Sequence, residues 1–135
     1  MRRIVSLFVL GFILCSFTAS TTDFSLLGTW KAVKSTENLT IIFEADGFST
    51  WKNGEEVMGG KKFEMDGKFY QMTYKSDMSV KPHQLDFIMT ELETKKERTM
   101  WCIFEVVSDD EIKINMSENE RPVDYVSGGV MKRVK

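Results

Sequence analysis

A chain of 135 residues has room for one domain with a real core and not for two. Its hydrophobic fraction of 42% and charged fraction of 28% are those of a globular protein rather than a disordered one. A formal net charge of −2 leaves no basic excess to attract nucleic acid or an anionic membrane, so no nucleic-acid partner is expected.

The chain opens with a short positive stretch, Arg2 and Arg3. An apolar run follows from Ile4 through Leu14, and then come the small residues Ser16, Thr18, Ala19 and Ser20. That order is the layout of a secretory signal peptide. The run is too short, and too soon followed by polar residues, for a transmembrane helix. Residues 1–20 are therefore expected to be removed, leaving 21–135 as the mature domain. Cleavage before Thr21 puts Thr18 and Ser20 at the two small-residue positions and takes two positive charges away. The expected location is secreted or periplasmic. Cys15 stands where a lipid-attachment cysteine would stand, but Leu14 before it departs from the small residue of a bacterial lipobox. Simple cleavage is the favoured reading. A lipid anchor at Cys15 is the alternative, and it is the one expected route to a membrane. With Cys15 discarded, Cys102 is alone and no intramolecular disulfide can form. Cys102 lies in the apolar run Met100–Phe104 and reads as a buried small hydrophobe.

The mature chain reads as strands and tight turns. Leu26–Lys34, with Gly28-Thr29-Trp30 at its heart, is the first strand. Asn38–Glu44 is rich in β-branched residues and reads as the second. Asp46-Gly47, Asn53-Gly54 and Asp66-Gly67 each signal a hairpin whose two central residues take positive φ. Three such turns in succession are hard to place in a helical protein. Phe48–Lys52 is a short return strand. Glu55–Met65 reads as one strand with a bulge or bend at Gly59-Gly60, the device by which a small barrel turns a corner. In Lys68–Tyr74, residues Tyr70, Met72 and Tyr74 share a face. So do Leu85, Phe87 and Met89 in Gln84–Thr90, and Ile112, Ile114 and Met116 in Glu111–Ser117. Glu91–Arg98 reads as a helical turn or a charged hairpin loop, solvated rather than a binding patch, and the last strand is expected from about Val123 to Val134. The count is about eight strands, the number at which an up-and-down antiparallel barrel closes around its own side chains or one small ligand.

Four short motifs lie in order along the chain. Leu27-Gly28-Thr29-Trp30-Lys31 starts the domain, and Phe43-x-x-Asp46-Gly47 marks the first hairpin. Lys81-Pro82-x-x-Leu85-Asp86-Phe87 lies in the middle, and Arg121-Pro122-x-x-Tyr125 precedes the last strand. In this ordered set the chain resembles the small bacterial lipocalin-like domains, a family of largely uncharacterised secreted proteins and lipoproteins. The resemblance implies an all-β, single eight-stranded barrel in which the first-strand tryptophan helps close one end. By analogy it also implies binding of a small hydrophobic or amphipathic molecule. The chain is shorter than a typical animal lipocalin. It also lacks the helix-turn-helix that fatty-acid-binding proteins insert after their own Gly-Thr-Trp strand. Both departures argue against a deep, closed cavity.

The residues expected to line a ligand site are Trp30, Phe43, Trp51, Tyr70, Met72, Phe87, Met89, Trp101, Phe104 and Arg121. The aromatic ones among them could equally fill the barrel as core. Met58, Met65, Met72, Met78, Met89 and Met100 are adaptable fillers that suit a promiscuous pocket. Thioether sulfur also suits Cu(I), but with a single histidine and no Met-x-x-Met cluster no metal or cofactor is expected. Arg121 has two readings. Arg121 and Asp86, or Lys81, form a structural ion pair across neighbouring strands near a barrel end, or Arg121 reads an anionic ligand head group with its planar fork. No Gly-x-Ser-x-Gly elbow, His-Glu-x-x-His or phosphate loop is present, so an enzyme is not expected. The alternative to ligand binding is a protein-interaction or inhibitor barrel with a filled core and a functional loop rim.

Overall fold

The computed structural model describes residues 24–33 and 38–135; the expected signal peptide and Cys15 lie outside them. The described residues form ten strands: β1 (Gly28–Val33), β2 (Leu39–Phe43), β3 (Ser49–Asn53), β4 (Glu56–Gly59) and β5 (Phe63–Met65), then β6 (Lys68–Asp77), β7 (His83–Glu91), β8 (Glu97–Ser108), β9 (Glu111–Ser117) and β10 (Gly129–Arg133). No helix occurs among them. All pairings are antiparallel, in the order β4-β3-β2-β1-β10-β9-β8-β7-β6-β5. The sheet is a meander whose first and last strands meet, with Trp30 opposite Arg133 and Val33 opposite Val130.

The barrel has ten strands rather than the expected eight, and the main reason lies at Gly59. The segment expected as one bent strand is divided into β4 and β5, which form the two edges of the sheet. Gly59 has φ +117°, and a Cβ there would lie 2.7 Å from Thr50 Cα and collide with the Ser49 carbonyl. The backbone of β4 therefore lies against β3 and leaves it sharply, so that β5 pairs with β6 instead. The gap between β4 and β5 is bridged one strand further in. Phe48 pairs with Thr73, Tyr74 N–H donates to Gly47 O at 3.0 Å, and Met72 N–H donates to Gly60 O at 2.9 Å. The result is an antiparallel sheet nearly closed into a barrel.

The expected turns form with different chemistry at each. At Asp66-Gly67 both central residues take positive φ, 54° and 77°. In the second hairpin Asn53 pairs with Glu56, so the central pair is Gly54-Glu55, and only Gly54 has positive φ. In the first, the chain turns from Glu44 to Gly47, and again only the glycine does. The charged segment after Glu91 is a tight hairpin in which Glu91 N–H donates to Lys96 O. The last strand starts at Gly129, not near Val123. Residues 118–128 form a strap on the outer face, tied down by Asn115, whose amide donates to Asp124 O at 2.9 Å.

The alternation expected from the sequence sets the inner face. Leu85 and Phe87, Ile112 and Ile114, and Trp30, Ile41, Phe43, Met72, Phe104 and Met131 form one buried cluster. One end of the barrel is closed. Trp30 is fully buried there, its indole N–H donates to Leu26 O at 2.8 Å, and the Phe24 ring packs on both Trp30 and Phe104. The Arg133 guanidinium lies 4.4 Å from the Trp30 ring and donates to the carbonyls of Ser25, Leu27 and Asp109. A single cation thus ties the incoming segment and the β8–β9 turn to the end of β10.

Candidate functional site

At the opposite end the core is incomplete. A cavity of about 200 Å³ is lined by Trp51 from β3, Met58 from β4, Met65 from β5, Met72 from β6 and Phe87 and Met89 from β7. Arg98, Thr99 and Met100 of β8 and Glu118 at the start of the strap complete it. Arg98 and Glu118 are exposed and stand at its mouth with opposite charges. Its inner residues arrive by the same period-2 logic that builds the core. Met72 and Met89 are directly opposed across β6 and β7, as are Phe87 and Met100 across β7 and β8, and Trp51 and Met58 across β3 and β4. Five thioethers therefore come from five strands onto one space. Thioether carbon and sulfur are apolar, polarizable and flexible, so this wall adapts to a guest and favours the edges of aromatic rings.

Trp51 and Phe87 make the floor rigid where the methionines are soft. Their rings meet edge to face, with centroids 4.8 Å apart and planes at 88°. Phe87 also packs on Phe43, which in turn meets Tyr74 edge to face at 4.9 Å. The Tyr74 hydroxyl donates to Glu44 O at 2.8 Å, and burial pushes its own ionisation above the usual phenol range. This aromatic series separates the cavity from the Trp30 end.

Of the residues expected at a ligand site, Trp51, Met72, Phe87 and Met89 line the cavity. Trp30, Phe43 and Phe104 are buried core and face other side chains instead. They sit deeper in the barrel, toward the closed end, within the buried cluster. Tyr70 is half-buried and packs against Phe63, with ring centroids 5.7 Å apart, outside the cavity lining. Trp101 faces outward, because Met100 and Cys102 on either side of it face in. Arg121 lies on that outer side. Its guanidinium is 5.2 Å from the Trp101 ring, and it donates to Asp86 Oδ1 at 2.7 Å and to Cys102 O at 2.8 Å. Arg121 and Asp86 thus form the ion pair that was one of the two sequence readings, and they lie away from the cavity lining. Of the six methionines marked as fillers, all but Met78 line the cavity. Arg98 and Glu118 were not marked at all; nothing in their local sequence sets them apart from other surface charges.

The remaining reactive groups are structurally occupied. Cys102 is a free thiol, fully buried, and burial pushes its pKa up to about 12. At neutral pH it is protonated and a poor nucleophile. His83 meets Val80 O through Nδ1 at 2.8 Å and packs its ring on Phe104. In the acidic stretch Asp109-Asp110-Glu111, Asp110 pairs with Lys135 at 2.9 Å and with Arg133 at 3.3 Å, and Glu111 with Lys132 at 3.6 Å. Among the described residues no group of three or more His, Cys, Asp or Glu side chains is placed to hold a metal ion.

No protein-family model matches the chain, and no curated protein matches it. Among solved structures it is similar to pallilysin of Treponema pallidum, at 12% identity over 82% of this chain and 79% of that one, with a TM-score of 0.47. At that distance the likeness carries no argument about activity.

Proposed function

We propose that this protein is an exported, lipocalin-like binding barrel that takes one small apolar molecule into its methionine-lined cavity. The observation that carries the reading is the convergence of Met58, Met65, Met72, Met89 and Met100 with Trp51 and Phe87 on one space at the open end. The apolar run from Ile4 to Leu14 supports export. The first-strand tryptophan buried at the closed end supports the family resemblance. Binding rather than catalysis is favoured by a wall of thioethers and aromatic rings in which the charged residues stand only at the mouth.

The cavity sets the size of the guest. Drug-sized ligands occupy pockets of roughly 300–1,000 Å³, whereas an engineered apolar cavity of about 150 Å³ accepts benzene. A volume of about 200 Å³ suits a single ring with a short substituent. Such a guest, with about eight heavy atoms, is expected to bind with a Kd on the order of 0.1 mM.

The test is a titration of the ¹³C-methionine-labelled protein with benzene, toluene and indole. The methyl signals of the five lining methionines are expected to shift, while those of Met78 and Met131 stay still. Met89→Trp, which fills the space, is expected to abolish the shifts and leave the fold intact. Lining methyls that do not move at millimolar ligand refute the reading. The second reading, a protein-interaction barrel, draws support from the strap, where Val123 and Val126 are 88% and 90% exposed. It predicts a stable partner complex that substitution of these two valines weakens.

A further inference from the structure

The methionines are spread along the sequence with no Met-x-x-Met pair, and the fold brings five of them onto one space. Three come from adjacent strands. Met72 on β6 is directly opposite Met89 on β7. Met89 is opposite Arg98 on β8, and Met100 follows two residues later, so Met89 and Met100 are diagonal neighbours on one face. Opposed residues of an antiparallel pair have Cβ atoms about 4.5–5.5 Å apart, and diagonal ones roughly 7–8 Å. A methionine side chain is unbranched and turns about three bonds, so these separations let three sulfurs meet at a common point. Met72 is buried and Met89 and Met100 are half-buried, at a cavity that opens between Arg98 and Glu118. No histidine, cysteine or aspartate lines it.

We propose that this cavity is also a site for a soft monovalent cation, Cu(I) or its congener Ag(I), ligated by the thioether sulfurs of Met72, Met89 and Met100. The inference goes beyond the apolar-guest reading and does not depend on it. Each part of the class follows from the wall. Thioether sulfur is a soft, neutral donor that selects Cu(I), whereas Zn²⁺ and Cu²⁺ favour imidazole, thiolate or carboxylate, and the interior offers none of these. A single positive charge is the least costly one to bring into a space without anionic ligands. At the mouth Arg98 and Glu118 oppose each other, so no net negative charge is there to favour a divalent ion. Met58 and Met65 close the space from β4 and β5, and the Trp51 ring in the same wall adds an aromatic surface of the kind that attracts cations. The rival structural account is that the methionines are apolar fillers only, a role that leucine would serve as well.

Silver nitrate and toluene decide between these accounts. The full chain with Cys15→Ser, which removes the one thiol outside the described residues, is labelled with ¹³C at the methionine methyls and titrated with each in chloride-free buffer. One equivalent of Ag(I) is expected to shift the methyls of Met72, Met89 and Met100 most and to leave Met78 and Met131 still. Zn²⁺ is expected to move none of them. The triple variant Met72→Leu, Met89→Leu, Met100→Leu keeps the shape of the wall and removes its sulfur, and Met58 and Met65 remain in it as reporters. It is expected to lose Ag(I) affinity by about a hundredfold or more. Its toluene binding is expected to stay within about threefold of the parent, because leucine and methionine are close in volume. Toluene shifts without Ag(I) shifts, or Ag(I) binding that the triple variant retains, overturn the metal site and leave the apolar-guest reading standing. Equal response to Zn²⁺ also overturns it. Ag(I) shifts at these three methyls without toluene shifts uphold the metal site and overturn the apolar-guest reading. No shift with either ligand overturns both.

Discussion

Arg121→Ala tests whether the strap is latched to the barrel wall. The guanidinium makes a 2.7 Å charged hydrogen bond to Asp86, a 2.8 Å bond to the Cys102 carbonyl and a 5.2 Å approach to the Trp101 ring. The side chains of Arg121 and Asp86 are 24% and 13% exposed, so solvent screens the pair only in part. A hydrogen bond between charged groups is worth about 1.5–3 kcal/mol and one to a neutral carbonyl roughly 1 kcal/mol. Stacking of the cation on tryptophan adds about 0.5–1 kcal/mol. One guanidinium makes all three, so they do not add in full, and the expected loss is about 3 kcal/mol. For a domain of this size that is a fall in Tm of roughly 10–12 °C. Arg121→Lys keeps the charge without the fork, and about half of the loss is expected to remain. Urea denaturation of Arg121→Ala, Asp86→Asn and the double variant closes a cycle in which the coupling is expected to be about 1–2 kcal/mol. Cavity binding of Arg121→Ala, measured by the methionine methyl shifts, is expected to match that of the parent. A loss below about 1 kcal/mol with no coupling would refute the latch. Intact stability with lost ligand binding would instead assign Arg121 to a ligand head group.

Cys102 and Asp110 give two further predictions. Burial with a pKa of about 12 makes the Cys102 thiol inert, so alkylation at pH 8 is expected only as fast as the protein unfolds. Rapid labelling of the native protein would contradict its placement in the core. The Asp110 carboxyl is held below its usual range, chiefly by a hydrogen bond from Lys135 and further by the charges of Lys135 and Arg133. Its contribution to stability is therefore complete above the ordinary carboxylate pKa of about 4 and is lost as pH falls through the lower folded value. Asp110→Asn is expected to lower Tm at pH 7 and to converge with the parent below that folded value. A difference in Tm that does not change between pH 7 and pH 2 would rule the linkage out.

Much of the architecture was legible one residue at a time. Gly47, Gly54 and Gly67 mark turns because the left-handed region is cheap for glycine, and each sits in a turn with positive φ. Alternation in β6, β7 and β9 put Met72, Phe87 and Ile114 on the inner face, because successive side chains on a strand point to opposite sides. The pairing of Asp86 with Arg121 could be named from charge and position. The division at Gly59 could not, since a paired glycine signals a bend but not which neighbour the chain takes afterwards. Arg133 passed as one more basic residue near the C-terminus, and its role appears only when β10 lies beside β1.

The sequence by itself determined which side chains share a face in β6, β7 and β9, because that follows from a local period of two, whereas in β8 it did not tell the outward Trp101 from the inward Met100 and Cys102. Only the tertiary structure decided how deep in the barrel each of them sits. Trp30 and Phe104 lie in a layer that Phe24 and Arg133 close, so they became core. Trp51 and the five methionines lie in a layer that their neighbours across the barrel do not fill, so they became a cavity wall. Depth depends on register and on the strands facing across the interior. Those contacts join residues far apart in the chain, and no local pattern encodes them.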